Sequence, residues 1–173
     1  MTSAELLVDA FGRIREAVDR VVEGLTPDEL ALRVDREANT IAWLVWHLTR
    51  VQDDHVSDVA RREQVWSSDG WAGRFELPFE PGATGYGQDA DEVAAVRVSS
   101  GNLLVDYHDA VFSRTREYVE ALGDDDLDRV VDRSWDPPVT LGVRLVSVID
   151  DDLEHAGQAA FVRGIVLRRR ADR

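Results

Sequence analysis

Four long stretches of the chain carry a helical hydrophobic period, separated by segments that lack it. In the first, Leu7, Phe11, Ile14, Val18 and Val21 recur at steps of four and three with Arg, Glu and Asp between them, which predicts an amphipathic helix. Thr2 or Ser3 can cap its start, and Gly24 stands where a terminating glycine belongs. Thr26-Pro27-Asp28-Glu29 reads as a short helical turn with proline at its first position. A second helix is predicted from after Asn39 or Thr40 to about Arg61, with Leu44, His47, Leu48 and Val51 on one face. The third runs from about Ser100 to Leu122, carrying Leu104, His108, Val111, Thr115, Tyr118 and Leu122 in line, and ends at Gly123 and an acidic run. The fourth starts after Thr140 and continues to about Arg168. Its stripe is Leu141, Leu145, Val148, Asp152, His155, Ala159, Val162 and Val166, and the arginines at its end complement the helix dipole.

Between the second and third helices, about residues 62–99, lies a stretch with Gly, Pro and scattered aromatics (Trp66, Trp71, Phe75, Phe79, Tyr86). It is too aromatic for a disordered linker and reads as an ordered crossover with a short helix at Asp89–Val96. A long central connection between two helical pairs marks a bundle that is not simply up-down-up-down. Leu127–Val131 is expected to be a short extended segment. The 173 residues, 44% hydrophobic, suit a single domain over 1–173 with a real core.

Charge narrows the partners. Thirty-four acids against twenty bases give −14, which argues against nucleic acid and against an anionic membrane surface. The chain has no cysteine, hence no disulfide, thiolate metal site or cysteine nucleophile. All twenty bases are arginine, which excludes Schiff-base chemistry, a pyridoxal-phosphate anchor and a P-loop. The first residues lack a basic and an apolar region, and no stretch approaches the roughly 18 apolar residues of a membrane span. A cytoplasmic protein is expected.

The chemistry concentrates on the histidines and one acidic cluster. Asp150, Asp151, Asp152, Glu154 and His155 sit in the middle of an otherwise apolar helix, too deep to serve its N-terminal dipole. Consecutive helical residues are about 100° apart, so these acids cannot all face solvent, and at least one should look inward beside His155. An inward carboxylate costs several kcal/mol unless a cation compensates it. Asp151 is four residues and Asp152 three residues before His155, and either spacing puts two potential ligands on one face. The competing reading is an acidic solvent face with an ordinary histidine. His47 likewise reads as a core histidine with one hydrogen-bond partner, or as a third ligand.

Two imidazoles and a carboxylate suit zinc, nickel or ferrous iron, with positions left open for water or substrate. Asp54, seven residues past His47, could be a fourth ligand, a supporting partner or a general base. His55 falls off the stripe and reads as surface or rim, and His108 as a core histidine. A di-iron site would need two Glu-x-x-His motifs, and only Asp152-Leu153-Glu154-His155 approximates one.

Thr40-Ile41-Ala42-Trp43-Leu44-Val45-Trp46-His47-Leu48 resembles the second-helix signature of the DinB-like superfamily, and His155-Ala156-Gly157-Gln158-Ala159 resembles its late-helix His-x-Gly-Gln signature. The similarity extends through Tyr86-Gly87-Gln88 and Thr140-Leu141-Gly142-Val143-Arg144, and is strongest to the actinobacterial DinB-like group near the mycothiol-dependent maleylpyruvate isomerase. The resemblance implies an all-α four-helix bundle, up-down-down-up, with a long crossover between helices two and three and a divalent metal between the helices. Carried over, the ligands are His47, His155 and, where many members have histidine, Asp151; isomerase-like members are similar in using an acid there. Zinc is the expected metal, with nickel as the alternative. The resemblance also implies metal-dependent transfer of a mycothiol-type thiol, or a hydrolase, acting on an acidic or electrophilic substrate. Arg144 and Gln158 are the candidate cofactor-binding residues, and a homodimer is compatible. Arg144 and Arg50 could hold an acidic substrate, or stand as ordinary surface ion-pair residues. The rival reading is a non-enzymatic bundle with a degenerate metal site, whose exposed Trp66/Trp71 crossover binds a protein partner or small ligand.

Overall fold

Each periodic stretch folds as a helix, and side-chain caps set where each begins. The computed structural model describes residues 1–171. Helix α1 (Ser3–Val22) opens on a capping box in which Thr2 accepts from the Glu5 amide and Glu5 reaches back to the Thr2 amide. Gly24 follows in the left-handed region at φ 68°. Thr26 and Glu29 repeat the box at α2 (Pro27–Leu30). Thr40 caps α3 (Ile41–Ala60) by accepting from the Trp43 amide at 3.0 Å. The crossover carries α4 (Val65–Ser68), α5 (Trp71–Phe75) and α6 (Ala90–Ala95); α6 is capped by Asp89, as its sequence predicts. Helix α7 spans Gly101–Glu120 and α8 spans Leu141–Ala171.

Contacts between the helices fix their directions. Arg163 and Arg170 of α8 donate to the carbonyls of Val21 and Gly24 at the end of α1, so α1 and α8 are parallel. The start of α7 at Gly101 lies against Val22, so α7 runs the other way. Thr49 of α3 meets His108 of α7, and Gln52 meets Thr115, so these two are parallel. His47 faces His155, and His55 faces Arg144, so α3 and α8 are antiparallel. The order is up-down-down-up. Both α1 and α3 pack on α7 and α8, with α1 and α3 across the diagonal. This is the DinB-like bundle. No helix among the described residues is long and apolar enough to cross a membrane.

The core holds the expected stripes, and His108 within it. The His108 ring meets the Thr49 hydroxyl at 3.1 Å, and its Nε2 is buried without a partner. Burial pushes its pKa down to about 4. The unfolded chain therefore takes up a proton between about pH 6.5 and 4 that the folded chain refuses, and stability falls as pH drops through that window. The contribution is on the order of 3 kcal/mol. In urea titrations compared at pH 7 and pH 4.5, His108→Leu should lose less stability on acidification than the parent; an equal loss in both would refute the assignment.

Three expectations need correction, the third of them at Arg50. The segment after α7 is a 3-10 turn at Asp124–Asp128 followed by a strand, β1 (Val130–Asp132), rather than an extended Leu127–Val131. It pairs antiparallel with β2 (Val139–Thr140), Val130 opposite Thr140, and this hairpin feeds directly into α8. The second concerns the crossover tryptophans. Trp66 and Trp71 are 5% and 6% exposed, not displayed to a partner. Trp66 packs on Phe75 and Tyr107, and Trp71 on Tyr107. A non-periodic segment offers no face from which such burial can be read.

A buried polar network holds the crossover down. Asp53 accepts from the amides of Val65 and Trp66, at 2.9 and 2.8 Å, and from the Tyr107 hydroxyl at 2.9 Å. It thereby satisfies the free donors at the start of α4. Arg50, read from sequence as a surface or substrate-facing residue, is fully buried beside it. Its guanidinium donates to the Ala83 carbonyl at 3.1 Å and Gln64 at 2.9 Å, lies 3.5 Å from Asp53, and covers the Trp66 ring. A buried charge is tolerated only with such pairing and hydrogen bonding.

Candidate metal centre

Three side chains from two helices converge where α3 and α8 cross. One ligand atom each from His47, Asp151 and His155 lies within 4.8 Å of the other two. His155 Nε2 and Asp151 Oδ1 are 3.6 Å apart, one helical turn along α8. The His47 and His155 rings meet edge to face with centroids 4.7 Å apart. Ligands around a tetrahedral ion with bonds of about 2.0–2.2 Å are separated by roughly 3.3–3.6 Å, so the α8 pair already stands at that spacing.

Each imidazole is oriented by a bond on its far side. His47 Nδ1–H donates to the Thr84 carbonyl at 2.6 Å, which leaves Nε2 as the lone-pair nitrogen. His155 Nδ1–H donates to Gln158 Oε1 at 3.3 Å, again leaving Nε2 toward Asp151. Hydrogen bonds of this kind fix the tautomer and rotation of metal-binding histidines. Burial holds His47 below the usual histidine pKa, with His155 adding to the effect. The ring is thus neutral near pH 7, the form a metal requires. Trp43 stacks flat on His47, centroids 4.5 Å apart, meets the edge of His155, and donates from Nε1 to Gln88 at 2.7 Å.

Charge balance tests whether these residues suit a cation. Asp151 Oδ2 is buried with no hydrogen-bond partner. The neighbouring Asp152 is completely buried with both oxygens unpartnered, and burial, with Asp151 beside it, pushes its carboxyl well above the usual range. A carboxylate with one oxygen this poorly satisfied, converging with two imidazoles, is what a divalent ion would complete. The donor set fits a metal.

The remaining candidates are placed as follows. Asp152 is the inward acid of the cluster, but it is not among the converging donors. Asp54 accepts from Gln64 at 2.6 Å, away from the triad. His55, at the rim, accepts from Arg144 at 2.8 Å; burial and that guanidinium hold its pKa down. Arg144 also pairs with Asp132 at 3.1 Å. Gln158 serves His155.

Sequence reasoning missed the crossover's share of the site. Thr84 supplies the carbonyl under His47, and Gly85 lies so close that a Cβ there would stand 2.6 Å from His47 Nδ1, 3.1 Å from Trp46 and 3.2 Å from Trp43. Gly85 has φ 99°, a conformation that favours glycine. Two glycines flanking Tyr86 were the available signal.

Comparison with known proteins agrees with this architecture. The profile of the mycothiol-S-transferase family matches residues 6–167. No curated protein sequence matches the chain. Among solved structures, a crystal structure of a conserved protein from Enterococcus faecalis is similar, with 30% sequence identity and a TM-score of 0.90. The match covers 96% of this chain and 98% of that one.

Proposed function

The chain belongs to the mycothiol-S-transferase family, and on that premise we propose that His47, Asp151 and His155 bind a divalent metal at which a mycothiol-type thiol is readied for transfer to an electrophile. The observation that carries this reading is the convergence of two imidazoles, each held through Nδ1, on the Asp151 carboxylate, whose Oδ2 is buried and unpartnered. A bound divalent ion would supply the positive charge that keeps a thiol sulfur as thiolate at neutral pH. The chain has no cysteine, so the sulfur must arrive with the co-substrate.

The protein's own residues set the rest. Neutral imidazoles and one carboxylate leave a divalent site at a formal charge of +1, which one thiolate brings to zero. Such a neutral assembly is far cheaper to keep in a partly dry pocket than a charged one. Trp43 excludes water from one side of the His47 ring. Zinc suits this mixed nitrogen, oxygen and sulfur set because it imposes no electronic geometry, and nickel is the alternative. Hydrolysis, with water in the thiol's place, is the second chemistry such an open site permits; family membership favours the thiol.

Metal content by mass spectrometry and a thermal shift with chelator test the site. Metal at 100 times its Kd stabilises the fold by about 2.7 kcal/mol. Stripping it should therefore lower Tm by roughly 5–10 °C for a chain this long. Protein that takes up neither zinc nor nickel, or whose Tm ignores the chelator, would defeat the reading.

A further inference from the structure

The metal-facing side of α8 does not end at His155. Asp151, His155, Gln158 and Val162 follow one another at steps of four, three and four and so lie on one helix face. Beyond the triad this face opens, along the seam with α3, into a groove of about 410 Å³ lined by Asn39, Leu44, Gly157, Gln158, Phe161 and Val162. Its volume lies within the roughly 300–1,000 Å³ of small-molecule sites, and its walls are apolar with two amides, the usual makeup of such sites. Gln158, which orients His155, is common to groove and triad. Phe161 is 68% exposed, a large aromatic standing at the rim without a partner. Gly157 keeps the wall open, since a Cβ there meets nothing within 4 Å.

Charge selects the occupant. Among the described residues, no charged side chain lines the groove. Around the triad, Asp150, Asp152 and Glu154 are acids, and Arg144 is committed to Asp132 and His55. An anionic substrate would meet like charge around the triad, in a chain already at −14. A neutral apolar body loses nothing there and gains by leaving water.

We infer that this groove is the binding site for the electrophile, and that it takes neutral, largely apolar electrophiles in preference to anionic ones. The inference rests on the reading of the triad as the thiol site. In the transfer, the thiolate sulfur bonds the electrophilic carbon, the leaving group departs with the electron pair of its broken bond, and the thiol proton passes to solvent.

Chlorodinitrobenzene, its anionic counterpart chlorodinitrobenzoate, and unreactive dinitrobenzene test this on zinc-loaded protein with mycothiol as thiol. Gly157→Leu should fill the groove without disturbing the fold, and leucine is the better helix former. Dinitrobenzene binding, followed by calorimetry, should weaken at least roughly tenfold in Gly157→Leu, and less in Phe161→Ala, while zinc content and Tm hold. The parent should prefer chlorodinitrobenzene over the benzoate in kcat/KM by a similar factor. Equal or better use of the benzoate, or dinitrobenzene binding indifferent to Gly157→Leu, would overturn the inference. So would light scattering in which Gly157→Leu splits a dimer, since a second copy would then be the occupant. Loss of dinitrobenzene binding in Gly157→Leu, in protein that binds no zinc and transfers no thiol, would uphold the groove while sinking the metal reading.

Discussion

Asp151→Asn is expected to weaken zinc binding at least about 100-fold, at or beyond the top of the range that loss of a mere supporting partner costs. The same substitution should leave the metal-free protein as stable as before, or more so. The two effects diverge because Asp151 has a different partner in each state. Without metal, its Oδ2 is buried and unbonded, and it stands beside Asp152, both of whose oxygens lack a partner. Replacing a carboxylate in that position relieves repulsion and desolvation. With metal, the same carboxylate supplies the anionic ligand, and a neutral amide oxygen is a poor substitute. Calorimetric zinc titration and metal-free melting curves of parent and variant together decide the matter. Unchanged zinc affinity would remove Asp151 from the site, and a large loss of metal-free stability would make its role structural.

Gly85→Ala should damage the site from outside the ligand set. The added methyl would stand 2.6 Å from His47 Nδ1, closer than real Cβ atoms come, at φ 99° where side chains are rarely accommodated. Either the loop withdraws, breaking the Thr84 carbonyl bond to His47, or the His47 ring rotates off its Trp43 stack. Both disorder the Nε2 lone pair. Zinc affinity should fall about 10–100-fold, and backbone strain should cost about 1–3 kcal/mol of stability. The histidine side-chain nitrogen NMR spectrum gives the specific readout: His47 should lose its single Nδ1–H tautomer in Gly85→Ala while His108 is unaffected. A variant that melts earlier with His47's tautomer and zinc affinity intact would show that Gly85 shapes only the loop.

Much of this was legible in the chain because helices announce themselves by period and cap. Thr2, Thr26, Thr40, Asp89 and Ser100 all begin helices where the hydrophobic stripes require. The acidic cluster on α8 was also legible as something needing an inward partner. Which acid turned toward His155 was not legible from spacing, since Asp151 and Asp152 are both compatible, and only the family resemblance pointed to Asp151. Only the side on which α3 packs decides that Asp151 meets the histidines and Asp152 is enclosed without a partner. The burial of Arg50 was hidden in the same way: an arginine one turn from His47 looks alike in sequence whether it faces water, a substrate or a folded loop. Its burial is a product of the crossover, whose aromatic residues follow no period and whose packing on Tyr107 spans distant parts of the chain.

Arg50 and His47 sit one turn apart on α3 and grip adjacent carbonyls, Ala83 and Thr84, of the same strip of chain. The candidate metal centre and the longest connection in the molecule are therefore mechanically one piece. Among relatives, an insertion, deletion or proline shift anywhere between α4 and α6 would retune the surroundings of the triad with His47, Asp151 and His155 unchanged. Divergence of chemistry in such a scaffold has an economical route: edit the strap and keep the bolts.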